Sequence, residues 1–189
     1  KITSAMKMVS AAKLKKAQDQ MQNIKPYSSA LTNSINNLLP SINSSEVTLL
    51  SSSCLQDKKL IITISSNRGL CGGFNANIFK AAKKETANDS DIFCVGKKIS
   101  EQFARTNYNI LKKEIDILDA PTVGFSRSIS DSIISGFIKG KWSEVVLIYN
   151  KFKNAATQIV CSEKILPITI DENDLEIQSE RKDYVFEPD

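Results

Sequence analysis

The sequence contains no histidine among its 189 residues. This absence removes the Ser-His-Asp and Cys-His arrangements of nucleophilic catalysis and the commonest side-chain ligand of transition metals. The four cysteines include no Cys-x-x-Cys pair, which favours reduced thiols over a zinc site or a disulfide framework. No apolar run approaches the roughly 18 residues that a membrane-spanning helix needs. These absences argue against a conventional hydrolase and against a zinc enzyme, and we expect no bound metal and no cofactor.

Positive charge is concentrated at the start of the chain. The net charge is +4, yet residues 1–25 hold six lysines and one aspartate, a local charge of +5, so the other residues sum to −1. Hydrophobic residues make up 41% and charged residues 24%, which is typical of soluble globular proteins. The basic segment implies an acidic partner, such as nucleic acid, anionic lipid or an acidic protein surface.

Residues 1–42 have the apolar periodicity of one long amphipathic helix. Pro26 removes one backbone donor and should kink this helix, but the periodicity continues beyond it until about Pro40. An apolar face of this length must be buried against a partner, and no other stretch of the chain is long enough to match it. The predicted face comprises Ile2, Met6, Val9, Ala17, Met21, Ile24, Leu31, Ile35, Leu38 and Ile42.

The remainder of the chain predicts an α/β domain. Residues 43–59 are rich in serine and are expected to form a linker, in which Glu46–Leu50 could be a short strand. Over residues 60–170 buried strand patterns alternate with helical ones, which predicts an open, mostly parallel, Rossmann-like sheet with flanking helices. The predicted strands are Leu60–Ser66, Asp91–Gly96, Asn109–Ile117, Glu144–Asn150 and an edge strand at Thr157–Leu166; the predicted helices are Gly73–Thr86, Lys97–Arg105 and Phe125–Lys139.

Residues 171–189 are acidic and polar and are expected to be a tail. This tail ends in Pro188 and Asp189, and proline followed by an acidic residue is typical of the first turn of a helix. Because the chain also lacks an initiator methionine, we expect it to be a piece of a longer polypeptide, cut at both ends.

A glycine-rich loop at Asn67–Gly73 follows the first predicted strand, where α/β proteins often bind phosphate. It matches neither G-x-G-x-x-G nor G-x-x-x-x-G-K-[ST], and Arg68 is its one cation. One hypothesis is therefore a nucleotide- or anion-binding loop that uses Gly69–Gly73. The other is a structural turn formed by Gly69, Cys71, Gly72 and Gly73.

The lysines of residues 1–25 also allow two interpretations. They could be only the solvated side of an amphipathic helix, or they could bind an acidic partner, since almost no acids lie among them. Lys13 falls on the apolar face itself. A basic segment without aromatic residues is a poor match for nucleic acid, because it offers no base-stacking surface, so we expect no nucleic-acid partner.

Three segments resemble the γ-subunit family of F-type ATP synthases. Lys1–Gln18 resembles the amino-terminal helix of that family, Ser66–Asn75 resembles its glycine loop, and Asp183–Asp189 is similar to the segment that enters its second long helix. The resemblance implies a non-catalytic rotor subunit of the central stalk, which couples proton-driven rotation to ATP synthesis or hydrolysis. It further implies that the amino-terminal helix is half of an antiparallel coiled coil.

Partners and sites also follow from this resemblance. It implies contacts with the α and β subunits, the ε subunit and the membrane c-subunit ring, at the cytoplasmic face of a bacterial inner membrane or the matrix side of a mitochondrial one. The extreme amino terminus and the carboxy-terminal helix of the family are missing here, so an isolated chain is expected to self-associate through its first helix. No redox insert accompanies Cys71, which argues against a thiol switch. Contacts with the hexamer are expected at Met6, Lys7, Lys13, Lys15 and Lys16, and the coiled-coil face at Ile2, Val9, Ala17, Met21 and Ile24.

Overall fold

A computed structural model describes residues 2–39, 47–86, 89–118 and 121–169. The chain divides into two compact units, of which one contains the first helix and the other spans Ser44–Thr169. A 3-10 turn at Asp116–Leu118 accompanies the regular elements. In chain order these elements are α1 (Ile2–Leu38), β1 (Lys59–Ile64), α2 (Phe74–Glu85), β2 (Asp91–Val95), α3 (Lys97–Phe103), β3 (Asn109–Glu114), α4 (Val123–Ile138), β4 (Glu144–Asn154) and β5 (Thr157–Leu166).

Helix α1 has 37 residues and includes Pro26 without interruption. Its first 24 residues contain neither glycine nor proline and are rich in alanine, lysine, methionine and glutamine, which are good helix formers. At about 1.5 Å per residue the helix is roughly 55 Å long. The predicted continuation of the helix past Pro26 is therefore confirmed. Pro40 and Ile42 lie outside the described residues, as does the predicted tail 171–189.

The α/β unit contains a five-stranded sheet with the order β3-β2-β1-β4-β5. The first four strands are parallel, and β5 pairs with β4 in the antiparallel direction at one edge. Strand β2 is buried along its whole length, and β1 is buried at four consecutive positions, as their uninterrupted apolar sequences require. The predicted fold class, an open and mostly parallel sheet with flanking helices, is confirmed.

Both faces of the sheet are covered by apolar side chains. On one face, Ile133 and Phe137 of α4 pack with strand residues such as Leu60 and Val145. On the other, the buried residues of α2 and α3 pack with strand residues such as Ile61 and Ile148. Each leucine, isoleucine, valine or phenylalanine side chain among them contributes about 1.5–3 kcal/mol when it is fully removed from water. The helical members of the second cluster are Ile78, Ala82, Ile99 and Phe103.

Three segments differ from the sequence prediction. The third predicted strand, Asn109–Ile117, ends at Glu114, because the chain turns into the 3-10 segment Asp116–Leu118. The predicted strand near Leu50 is wrong over its described part, because residues 47–50 form a turn closed by a hydrogen bond from Leu50 N–H to Val47 O at 3.0 Å. The serine-rich segment also bonds to the α/β unit, for example from Ile168 N–H to Leu49 O at 2.8 Å. Strand β4 runs four residues beyond its predicted end, because it continues as a two-stranded ribbon with β5. None of the helices in the described part of the chain is long and apolar enough to cross a membrane.

Candidate functional site

The apolar face of α1 is open to solvent. Met6, Val9 and Ile24 are 64%, 56% and 62% exposed, and Leu31 and Ile35 are exposed as well. Ala17 and Met21 are also exposed. A row of exposed apolar side chains along roughly 55 Å of helix is much larger than the scattered apolar residues of ordinary surfaces, and such surfaces mark interaction sites. Val9, Ala17, Met21 and Ile24, which were predicted for a coiled-coil face, are therefore exposed where another helix could cover them, and the side chain of Ile2 lies outside the described part of the chain.

The charges of α1 are confined to its first two thirds. Lys7, Lys13, Lys15 and Lys16 are exposed, and Asp19 is the helix's acidic residue. From position 26 to position 39 no residue is charged. Among the described residues, no ion pair within 4 Å involves a lysine of this helix. These lysines are therefore available to an acidic partner.

The glycine loop, residues 67–73, connects β1 to α2 at the carboxyl end of the strand. Gly72 has a φ of 59°, in the left-handed region that favours glycine, whereas Gly69 and Gly73 are not in that region. Leu70 also has a φ of 59°, and its side chain is fully exposed. Cys71 is exposed too. Gly72 is thus the predicted turn residue whose backbone conformation a side chain would strain.

The side chain of Asn75 fills the inside of this loop and is 8% exposed. Its Oδ1 accepts a hydrogen bond from the Ser66 N–H at 3.0 Å. Its Nδ2 donates to Arg68 O at 3.3 Å and to Cys71 Sγ at 3.2 Å. The inside of the loop is therefore filled by an amide side chain of the protein that bonds to the loop's own groups.

The edge of the sheet where ligands usually bind is also occupied. The strand order reverses between β1 and β4, and doubly wound sheets bind nucleotides outside the carboxyl ends of the strands at such a point. Here the Nδ2 of Asn150, on β4, donates to Phe74 O in the first turn of α2 at 3.0 Å. Together with the mismatch to both phosphate-binding motifs, this packing means that the nucleotide- or anion-binding hypothesis is not favoured.

Asn67 joins the glycine loop to its neighbours. Its Nδ2 donates to Ile115 O at 2.9 Å, and its Oδ1 accepts from the Lys97 N–H at 2.9 Å. Nearby, the aliphatic part of Lys98 lies against Gly69, where an added Cβ would be 3.6 Å from Lys98 Cε. The loops that follow β1, β2 and β3 are therefore held together by side chains that the sequence motif alone did not identify.

A buried polar cluster links the amino ends of four strands. Asp91, at the start of β2, is 6% exposed. Its Oδ1 accepts from Asn109 Nδ2 at 2.7 Å and pairs with Lys58 Nζ at 3.1 Å, while its Oδ2 accepts from Trp142 Nε1 at 2.8 Å. Burial raises the pKa of Asp91, but hydrogen bonds from Trp142, Asn109 and Lys58 outweigh it and hold the pKa below its usual value. The cluster brings together residues that are distant in the sequence, and no sequence pattern predicted it.

One further cleft lies at this amino edge of the sheet. It has a volume of about 320 Å³ and is lined by Lys83, Thr106, Asn107 and Tyr108. These residues come from the end of α2 and from the segment that precedes β3, so the cleft is far from the glycine loop. In the described part of the chain, no group of three or more His, Cys, Asp or Glu side chains is arranged to hold a metal ion.

The sequence model of a family described as ATP synthase matches residues 1–189. The ATP synthase gamma chain of Flavobacterium psychrophilum is 38% identical over 191 residues, and that of Christiangramia forsetii is 40% identical over 192 residues. Each match covers 99% of this chain and 66% of the relative, so the chain spans just under two thirds of the length of these curated relatives.

A solved structure shares the fold of this chain at lower sequence identity. The structure of the central stalk and c-ring of the Tetrahymena thermophila mitochondrial ATP synthase contains a chain that matches with a TM-score of 0.68 and 24% identity. The match covers 88% of this chain and 73% of that one, and it shows a shared fold. With the family match along its whole length and two curated relatives at 38–40% identity, this chain belongs to the ATP synthase gamma chain family.

Proposed function

We propose that this chain is a rotor subunit in the central stalk of a rotary ATP synthase. In this function it couples proton-driven rotation to ATP synthesis or hydrolysis in the catalytic hexamer, and it carries no catalytic residue. The observation that carries the proposal is the family membership of a chain whose longest helix exposes an apolar face and a set of lysines. A helix of this kind is suited to transmit force between other subunits rather than to bind a substrate.

The proposed partners follow from the two surfaces of α1. The apolar face is proposed to form a coiled coil, because a partner helix would remove its exposed side chains from water. The sequence assigns Met6, Lys7, Lys13, Lys15 and Lys16 to contacts with the hexamer. Of these, Lys13 lies on the apolar face, so contact with the α and β subunits is proposed for the other four. The other proposed partners are the ε subunit and the membrane c-subunit ring. The proposed location is peripheral, on the cytoplasmic face of a bacterial inner membrane or on the matrix side of a mitochondrial one.

The test is binding to the catalytic hexamer. The chain is co-expressed with the α and β subunits of the same organism, and the complex is purified and its stoichiometry measured. We expect one copy per hexamer. The combined variant Lys7→Glu, Lys15→Glu and Lys16→Glu should bind at least about tenfold more weakly, because like charges placed opposite each other cost several kcal/mol.

The matched control reverses charge elsewhere on the chain. Lys151 and Lys153 are exposed residues near the end of β4, and the variant Lys151→Glu with Lys153→Glu should bind the hexamer as the unmodified chain does. If both charge-reversed variants bind equally well, the lysines of α1 do not contact the hexamer. If the unmodified chain does not bind at all, the rotor proposal is wrong for this chain.

A further inference from the structure

Lys13 lies in the middle of the apolar face of α1. Val9 and Ala17 lie one turn before and one turn after it, and Met6 and Gln20 lie seven residues away on either side. Residues four or seven apart share one side of a helix, because a turn takes about 3.6 residues. The ammonium group therefore stands in the row of side chains that a partner helix would cover, and this position differs from that of the other lysines. Lys15, for example, points about 160° away around the helix axis.

The helix carries no acid that could neutralise Lys13 in a pair of identical helices. Asp19 is the acidic residue within α1. It lies six residues beyond Lys13 and hence about 120° away around the axis, outside the apolar face. A second copy of α1 would therefore bring no carboxylate to the covered face in either orientation.

We infer that Lys13 selects the helix that covers the apolar face of α1: it disfavours a second copy of α1 and favours an amphipathic helix with a carboxylate opposite Lys13. A single polar residue in such a face specifies register and partner at a cost in stability. This inference deepens the coiled coil of the proposed function and rests on it for its biological meaning. The experiments that test the inference do not depend on the proposed function, because the pairing preference is a property of α1 itself.

The two ways of pairing identical helices both penalise Lys13. In a parallel pair, Lys13 faces Lys13 of the second copy, and like charges repel. In an antiparallel pair centred on α1 (Ile2–Leu38), Lys13 faces Tyr27 in the uncharged half, and its ammonium loses water without gaining a carboxylate. A carboxylate on a different helix removes either penalty, because it supplies a charge-assisted hydrogen bond at the same position.

The first experiment removes the charge. The full chain is compared with Lys13→Leu and Lys15→Leu by sedimentation equilibrium over a wide concentration range. Both variants lose one positive charge and gain one leucine, but only position 13 lies on the apolar face. We expect the dimer dissociation constant of Lys13→Leu to fall at least about tenfold, since a covered leucine side chain contributes about 1.5–3 kcal/mol. We expect Lys15→Leu to match the unmodified chain.

The second experiment supplies the carboxylate. A mixture of the unmodified chain with Lys13→Glu can form a parallel pair in which Lys13 faces Glu at the same position. We expect this mixture to dimerise at a concentration at least about tenfold lower than either chain alone, since opposite charges replace like ones. A mixture with Lys15→Glu should show no such gain. Circular dichroism and Trp142 fluorescence verify that every variant is folded.

The results of the two experiments either support or overturn the inference about Lys13. Tighter dimers for Lys13→Leu and for the mixture with Lys13→Glu, with both position-15 controls unchanged, support the inference. Equal behaviour of the variants at positions 13 and 15 overturns it, and so does a strong dimer of the unmodified chain that Lys13→Leu does not tighten. A failure of the hexamer-binding test would leave these results unaffected, so the two proposals can fail independently.

Discussion

Replacing Asp91 with alanine should lower the free energy of unfolding of the α/β unit by about 3–5 kcal/mol. Three donors converge on this carboxylate at distances of 2.7–3.1 Å: Asn109 Nδ2, Trp142 Nε1 and Lys58 Nζ. A hydrogen bond to a charged group contributes about 1.5–3 kcal/mol, but the three share one acceptor group and are not additive. Trp142 is buried, with 3% of its surface exposed. Without the Asp91 carboxylate, its indole N–H would lose its hydrogen-bond acceptor at a position where water cannot replace it.

The measurement is urea unfolding followed by fluorescence. Trp142 is the single tryptophan of the chain and bonds directly to Asp91, so its emission reports on the perturbed site. For a chain of this size each kcal/mol corresponds to about 2–4 °C in Tm, so melting should occur roughly 10 °C lower. The matched control is Glu101→Ala. Its carboxylate pairs with Lys98 at 2.9 Å on the surface, where an ion pair contributes little, so we expect almost no change.

The pH dependence of the free energy of unfolding tests the same site in a second way. The pKa of Asp91 is lower in the folded protein than in the unfolded chain, where an aspartate has a pKa of about 3.9. Ionisation of Asp91 therefore stabilises the folded state fully at pH values above that unfolded pKa. That stabilisation disappears as pH falls through the lower folded value. The difference between the unmodified chain and Asp91→Asn should therefore be largest near neutral pH and shrink below about pH 4. If Asp91→Ala loses less than about 1 kcal/mol at pH 7, the cluster does not stabilise the sheet as argued.

Three further predictions concern glycine positions and the glycine loop. Gly136→Ala should lower the free energy of unfolding, measured in urea, by about 1–3 kcal/mol, because the added Cβ would be 2.3 Å from Trp142 Cζ3. The control is Gly124→Ala on the same helix, where an added Cβ has nothing within 4 Å. This variant should have unchanged stability or gain up to about 1 kcal/mol. Leu70→Gly should leave the free energy unchanged or raise it by up to about 1 kcal/mol, since it relieves a left-handed backbone without removing a packed side chain, and a clear loss would show that the leucine packs. Millimolar ATP should leave Tm unchanged in a thermal-shift assay, and a concentration-dependent rise would restore the nucleotide-binding hypothesis.

The strands and helices of the α/β unit could be predicted because their patterns are local. Strand β2 is buried on both faces, so its apolar run is continuous, and α4 places apolar residues at helical spacing. The end of β4 could not be predicted, because beyond Asn150 it alternates lysine with Phe152 and depends on its antiparallel pairing with β5. The turn at 47–50 was mistaken for a strand because Val47 and Leu50 are apolar, although the main-chain bond between them closes a turn.

The polar sites were harder to predict than the fold. Asp91 and Trp142 are 51 residues apart in sequence, and only the parallel register of β1, β2 and β4 brings them together. Asn75 lies in the first turn of α2, and no sequence pattern shows that its side chain fills the glycine loop. Patterns of hydrophobicity record which face of an element is buried, but they do not record which distant polar groups meet there.

The uneven charge of α1 makes its two ends respond differently to their surroundings. Dissolved salt screens the attraction between exposed charges, most strongly beyond the Debye length of about 8 Å at physiological ionic strength, and this length shortens as salt is added. Screening hardly affects contacts between uncharged groups. Raising the salt concentration should therefore loosen an acidic partner from residues 7–25 while the segment from 26 to 39, which holds no charge, keeps its contacts. Ionic strength therefore controls how strongly a partner binds at the charged end of α1, and hydrophobic burial controls binding at the uncharged end.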